Sequence, residues 1–407
     1  MRVKKRRLYR LLMFDVIALA IIFVAVVCIS LNISFEIQKP NSNQSNLPFE
    51  QTLLESTETL MNEQLSHGLG GFNNNNWDDE LPLQEAEVEE NMEKFEPVHI
   101  AIAGDVLFST SPLNKYDSGN GISSILSGDL FDTMNSSDIT IVNLEFPFST
   151  RGTQMEDKQY TFRADPARAS ILTEMGVDIV SLANNHTLDF GTEALLDTIA
   201  TLKENNILSV GAGENLEAAR SSSSITVKGK NIAFLGASRV IPVTDWNATK
   251  YSPGVFTTYD PTLLIEEIKI AKQSNDLVVV YVHWGIEQEE QPEEYQRTMA
   301  KQYIDAGADL VIGSHPHVLQ GIEYYNGKPI VYSLGNFIFG HTIERTVLLD
   351  VTIDEQNSCN IRLIPCETKD AYTHTITSAD RAQEFLSYYE EISYGIKIDK
   401  NGNVIKE

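Results

Sequence analysis

The chain has little cysteine and little positive charge. Its 407 residues include three cysteines, Cys28, Cys359 and Cys366. Small secreted scaffolds that replace a core with disulfides use many more, so that class does not fit. Cys359 and Cys366 flank the run NIRLIP, which reads as a strand. Seven extended residues span about 23 Å, well beyond the ~7 Å between Cα atoms that a disulfide tolerates. Lys and Arg number 31 against 57 Asp and Glu, giving a formal net charge of −26. This argues against nucleic acid as a partner, because its recognition needs a basic footprint. No internal repeat of fixed period is present, so solenoid and propeller arrays are not indicated. The 42% hydrophobic content is enough for a substantial core.

The scarce positive charge is concentrated at the start. Residues 1–35 carry six Lys and Arg against Asp15 alone, and an apolar run follows from Leu11 to Ile33. A helix needs about 20 such residues to cross a bilayer core. The expectation is a single-pass anchor with a cytoplasmic N-terminus and an extracytoplasmic remainder at the cell membrane. A cleaved signal peptide is the rival, but the run is long and no A-x-A site follows it. Lipidation at Cys28 is a third reading, with Val27 a poor residue before it. Residues 36–97 carry 14 Asp and Glu against two Lys and include NNNN at Asn73–Asn76, the composition of a flexible acidic stalk. The expected organisation is therefore 1–35 anchor, 36–97 stalk, 98–345 main domain, and 346–407 strands and a helix that complete it.

Beyond the stalk, strand and helix patterns alternate. Strands are predicted at Val98–Ala103, Ile139–Leu144, Asp178–Leu182, Ile207–Val210, Leu277–Val282, Asp309–Ile312 and Pro329–Leu334. A hairpin is predicted at Ser224–Lys228 and Asn231–Gly236, with later strands at Thr346–Ile353 and Asn360–Ile364. Helices are predicted at Ile122–Met134, Pro166–Met175, Thr192–Asn205, Pro261–Ser274, Pro292–Ala306 and Ser378–Ile392. The alternation indicates an α/β fold with much parallel pairing, two packed sheets and helices outside.

Five of the apolar runs stop on side chains that bind metals. IAIAGD ends on Asp105, ITIVNLE on Glu145, IVSLANNH on Asn185 and His186, LVVVYVH on His283, and LVIGSHPH on His315 and His317. Each has a plain structural reading: Asp105 as a cap, Asn184-Asn185-His186 as a turn, a lone histidine as a core residue. Glu145 is harder to dismiss, because a carboxylate at the end of a buried strand is costly without a cation. In an extended segment His315 and His317 would point to the same side, with Pro316 stiffening them. The five strand ends together suggest one metal centre.

These runs, with His283-Trp284-Gly285-Ile286-Glu287, Gly313-Ser314-His315-Pro316-His317-Val318 and Ser333-Leu334-Gly335-Asn336-Phe337, resemble the CapA-type poly-γ-glutamate capsule protein family. That family lies within the calcineurin-like metallophosphoesterase superfamily, and the resemblance covers about residues 98–340. It implies a four-layer α/β/β/α sandwich with two divalent ions, Mn, Fe or Zn. It implies that Asp105, Glu145 and His317 hold one ion, and that Glu145 bridges to a second held by Asn185, His283 and His315. His186 would act as general acid, with Arg163, Glu287 and Asn336 on the substrate rim. Where phosphoesterases of the superfamily usually carry a histidine two residues after the first Asp, this chain has Leu107. The bridging position is Glu145 where Asp is usual, and Ser314 stands where a histidine often precedes His-Pro-His.

Three functions follow as expectations. The first is a membrane-anchored component of poly-γ-glutamate synthesis or export, acting on the anionic polymer beside membrane subunits of a synthase complex. The second is a cell-surface metal-dependent phosphoesterase. The third is a non-catalytic scaffold of a membrane synthase complex.

Overall fold

The computed structural model describes residues 95–407. The expected membrane anchor, the stalk and Cys28 lie outside the described residues. Within them, no helix is long and apolar enough to cross a membrane.

Two sheets are laid down in turn. The first begins with four parallel strands: β1 (Val98–Val106), β2 (Ile139–Leu144), β3 (Ile179–Ser181) and β4 (Leu208–Val210). After the short β5 (Ala212–Gly213), the hairpin β6 (Ser223–Val227) and β7 (Lys230–Ser238) opens the second sheet. The two-residue β8 (Gly254–Val255) returns to β5. Then β9 (Leu277–His283), β10 (Leu310–Ser314), β11 (Leu319–Tyr325) and β12 (Lys328–Leu334) complete a sheet in the order β11-β12-β10-β9-β7-β6. The chain crosses back with β13 (Asn336–Ile338), which pairs parallel with β1 at Asp105. β14 (Ile343–Ile353), β15 (Cys359–Lys369) and β16 (Tyr372–Thr375) extend the first sheet beyond β1. A ribbon of β17 (Ile396–Ile398) and β18 (Val404–Lys406) closes the chain.

The alternation of side chains along the strands explains the stacking. Ile100 and Ile102 of β1, with Ile141 of β2, pack against Phe234, Val279, Tyr281 and Ile312 of the second sheet. The intervening Ala101 and Ala103 face outward, under Leu130, Met134, Leu172, Leu195 and Leu202 of helices. Val278, Val280 and Val282 of β9 meet Leu264, Ile268, Met299 and Tyr303 of helices on the other outer face. Strands buried on both faces read as near-continuous apolar runs, and β9 is buried at all seven positions, apolar up to His283 at its end. The result is helix, sheet, sheet, helix. Across the middle, Tyr281 donates a hydrogen bond of 2.8 Å to the Ala103 carbonyl, joining the two sheets near the ends of β1 and β9.

Several elements differ from the sequence reading, among them the strands β11, β13, β16, β17 and β18, which it did not expect. The helix expected over Ile122–Met134 is broken into a 3-10 turn, Gly121–Ser124, and a helix, Gly128–Ser136. Leu126 between them bridges to Thr373, a pairing across the sequence that local propensity does not encode. A helix at Thr110–Ser118 has no counterpart in the expected elements. Cys359 and Cys366 are free and buried on one strand, β15.

Candidate metal centre

The carboxyl ends of the parallel strands carry the polar residues of the site. Asp105 lies in register with Asn143 of β2 and Asn336 of β13. Its backbone N–H donates to the Gly335 carbonyl at 2.9 Å. A Cβ on Gly104 would sit 1.9 Å from that same carbonyl oxygen, so only glycine admits the approach. Glu145 follows β2 directly. In the second sheet His283 ends β9 in register with Ser314, which ends β10 just before His315. The loop after β3 brings Asn185 and His186.

The carboxylates and imidazoles converge. Ligand-type atoms of Glu145, His283 and His315 lie within 4.8 Å of one another, as do those of Asp105, Glu145 and His317. Glu145 belongs to both groups. His283 Nε2 is 2.8 Å from Asn185 Oδ1 and 3.7 Å from Glu145 Oε1. Asp105, Glu145 and His283 are fully buried.

The centre lacks what buried polar groups ordinarily have. Eight buried side-chain atoms among the described residues have no hydrogen-bond partner. Four of them are here: Asp105 Oδ2, both oxygens of Glu145, and His315 Nδ1. Each such atom costs about 1–3 kcal/mol, so four in one place call for a cation. Two carboxylates, three imidazoles and an amide oxygen suit a divalent transition metal. The residues present therefore fit a metal.

Electrostatics describe the same strain. Burial first, then Asp105, pushes the Glu145 carboxyl well above the usual range. Burial, then His315 and His317, holds His283 well below the ordinary imidazole value. Burial, then His317, brings His315 down to about 4. Burial pulls His317 down as well, but Glu145 and Asp105 outweigh it and raise it to about 10.

The His-Pro-His segment is not extended, as the sequence reading had it. His315 and His317 adopt φ of 100° and 59°. Such backbone costs an L-residue about 1–3 kcal/mol and persists where the surroundings over-determine it. The rings reach the centre through a turn, with centroids 5.9 Å apart.

Neighbours orient the ring nitrogens. His283 Nδ1 is 3.0 Å from Ser314 Oγ, leaving Nε2 toward Asn185 and Glu145. His317 Nδ1 is 2.7 Å from Asn336 Oδ1. Such outer partners fix the tautomer of a metal-binding histidine. Asn336 thus holds His317. Asn143 donates to Asp105 Oδ1 at 2.7 Å. Asn184 donates to Asn143 Oδ1 and to the Leu144 carbonyl, locking the loop after β3 to β2.

His186 stands beside the centre in a network that the sequence reading missed. Its Nδ1 is 2.8 Å from Asp189 Oδ2 and 3.1 Å from Lys158 Nζ. Lys158 also donates to Asp189 and to the Asn185 carbonyl. Burial lowers the His186 pKa against the pull of Asp189. Asp189, three residues after His186, carried a faint signal in sequence; Lys158, in an aperiodic loop, carried none.

A cleft of about 410 Å³ opens over these groups, lined by Leu107, Tyr160, Phe162, His186, Glu287, His317, Phe339 and His341. Leu107 is almost completely buried at the edge of this cleft. Arg163 does not join the centre. Its guanidinium stacks on Phe190 at 4.0 Å and donates to the Arg151 carbonyl. Glu287 lies with His315 and His317 in a third group of ligand atoms, again within 4.8 Å.

The fold and site define a two-sheet α/β protein with a carboxylate–imidazole centre at its strand ends. Residues 99–341 match the family described as Bacterial capsule synthesis protein PGA_cap, and the chain belongs to that family. It is 38% identical over 212 residues to the PGA biosynthesis protein CapA of Bacillus subtilis (strain 168), covering 52% of this chain and 55% of that protein. It is 33% identical over 273 residues to the capsule biosynthesis protein CapA of Bacillus anthracis, covering 64% and 66%. The chain thus matches between about half and two thirds of these relatives' length. The solved 5'-nucleotidase of Candida albicans SC5314 is 10% identical with a TM-score of 0.38, over 67% of this chain and 52% of that one, too slight a likeness to argue from.

Proposed function

We propose that the chain is a membrane-anchored, extracytoplasmic component of poly-γ-glutamate capsule synthesis or export. In this reading a divalent-metal centre on a metallophosphatase-like frame engages the anionic polymer, beside membrane subunits of the synthase. The observation that carries it is the set of four unpartnered ligand atoms on Asp105, Glu145 and His315. Family membership and the relatives' names support the capsule setting. In a chain of net charge −26, bound cations would supply the largest local positive charge for an anionic substrate.

Asp105, Glu145 and His317 would hold one ion, and Glu145, Asn185, His283 and His315 a second. Such ions supply Lewis acidity toward water and toward a substrate oxygen. The protein does the rest. Ser314 and Asn336 fix His283 and His317, while Asn143 fixes Asp105. Asp189 Oδ2 would accept from His186 Nδ1–H, with Lys158 donating to the other Asp189 oxygen, leaving Nε2 to exchange a proton with a leaving oxygen. Phe162, with its ring centroid 4.7 Å from that of His186, shields it from water.

His186 specifically favours a second reading, a cell-surface metal-dependent phosphoesterase, whereas Leu107 weighs against it by withholding a donor. One experiment separates these. The full chain, stripped with chelator and reloaded with Mn, Fe(II) or Zn, is assayed for bound metal and for phosphomonoester hydrolysis, and a capsule-forming host is complemented with His283→Ala and His317→Ala. Loss of metal and capsule in both variants supports the proposal. Hydrolysis lost with capsule intact supports the phosphoesterase. Wild-type chain without bound metal, still supporting capsule formation, sinks the metal reading and leaves a scaffold.

A further inference from the structure

We propose that Glu287 is a metal ligand beside His315 and His317, rather than a substrate-rim group. This rests on the metal reading above. Its carboxylate and the ring nitrogens of His315 and His317 fall within 4.8 Å of one another. His315 Nδ1 is buried and unpartnered. Among the described residues, no side chain pairs with Glu287 in a salt bridge or hydrogen bond.

The placement of Glu287 is fixed by backbone. It lies in the loop that leaves β9 after His283. Gln288 N–H donates to the Pro316 carbonyl at 2.8 Å, tying the loop to the residue between the two histidines. Gly285 N–H donates to Tyr295 Oη at 2.8 Å, and Trp284 Nε1 donates to the Tyr332 carbonyl at 2.9 Å. Gly285 has φ of 97°, and a Cβ there would come within 3.0 Å of the Pro316 ring. Glu287 and the His-Pro-His turn are thus held as one unit.

Counting donors gives the carboxylate its role. The Asn185 side of the centre has four protein donors: Asn185, Glu145, His283 and His315. The Asp105 side has three: Asp105, Glu145 and His317. Leu107 lines the cleft and offers none. Glu287 adds a fourth beside His317, from an exposed position where Glu145 is fully buried. The centre is then bracketed by two carboxylates, one inside the protein and one at the mouth of the cleft.

The test uses the full chain, stripped of metal and titrated with Mn²⁺ alone by calorimetry, with metal counted by elemental analysis. Glu287→Gln keeps the shape and removes the anionic donor. The expected result is two equivalents in wild type. The variant should bind one at wild-type affinity and the other about 10–100-fold more weakly, the range seen when support is removed from a metal site. Glu289→Gln, an exposed carboxylate two residues on, should match wild type. Unchanged affinity in Glu287→Gln overturns the proposal, and so does equal weakening in Glu289→Gln, which would mark a long-range charge effect. A wild type that binds no metal overturns both this proposal and the metal reading. A wild type that binds two ions without hydrolysis leaves this proposal standing and removes only the enzyme reading.

Discussion

Glu145 occupies a setting that its side chain does not tolerate alone. Both oxygens are buried without partners, and burial with Asp105 drives its pKa far up. Glu145→Gln removes the carboxylate whose ionisation burial and Asp105 oppose, so it should stabilise the metal-free protein at neutral pH by more than about 1 kcal/mol, while abolishing metal binding. Denaturant titration in chelator checks the first part and elemental analysis the second. The histidines set a pH signature. Between pH 6.5 and about 4, the unfolded chain takes up protons that His315 and His283 refuse, so metal-free stability falls on acidification. From 6.5 to about 10, folded His317 keeps a proton that the unfolded chain releases, so its contribution is lost as pH rises. In a series of melts with chelator, His317→Gln should lose the alkaline decline that wild type shows. An identical alkaline limb in the two proteins would refute the assignment.

At the scale of elements, the strand ends were legible because an apolar run that stops on a polar residue marks both the strand and its end. The His-Pro-His turn was not legible. Nothing local distinguishes an extended pair from two left-handed residues, and the turn exists because the centre and the Gln288–Pro316 hydrogen bond impose it. The break at Leu126 depends on Thr373, almost 250 residues away along the chain. Arg163, placed on the substrate rim by the resemblance, stacks over Phe190 through loop packing that composition does not reveal. Among close approaches, that of β1 to Gly335 is testable. Gly104→Ala drives a methyl into a backbone oxygen and should cost about 1–3 kcal/mol or more, seen as a lowered melting temperature together with loss of metal affinity.

At the scale of the molecule, the family match ends at residue 341, but the sheet does not. β14 pairs with β1 from Val98↔Ile353 to Ile102↔Leu349, and β15 and β16 follow it. A chain cut after residue 341 loses that side of the strand that carries Asp105, and it bares Ile100 and Ile102 of the inner core. It is expected to be insoluble or unfolded by circular dichroism. A soluble, cooperatively melting truncation would show that the later strands are dispensable.

The donors divide by sheet: Asp105, Glu145 and Asn185 come from the first, His283, His315 and His317 from the second. An ion held by both groups is a reversible cross-link between the two halves of the sandwich, in a chain whose cysteines Cys359 and Cys366 form no covalent one. Such a link strengthens with the free metal around it, by about 2.7 kcal/mol per site at a hundredfold excess over the dissociation constant. Resistance to unfolding and to proteases would then track the metal supply of the surroundings. Starvation for that metal would remove the protein as well as its chemistry.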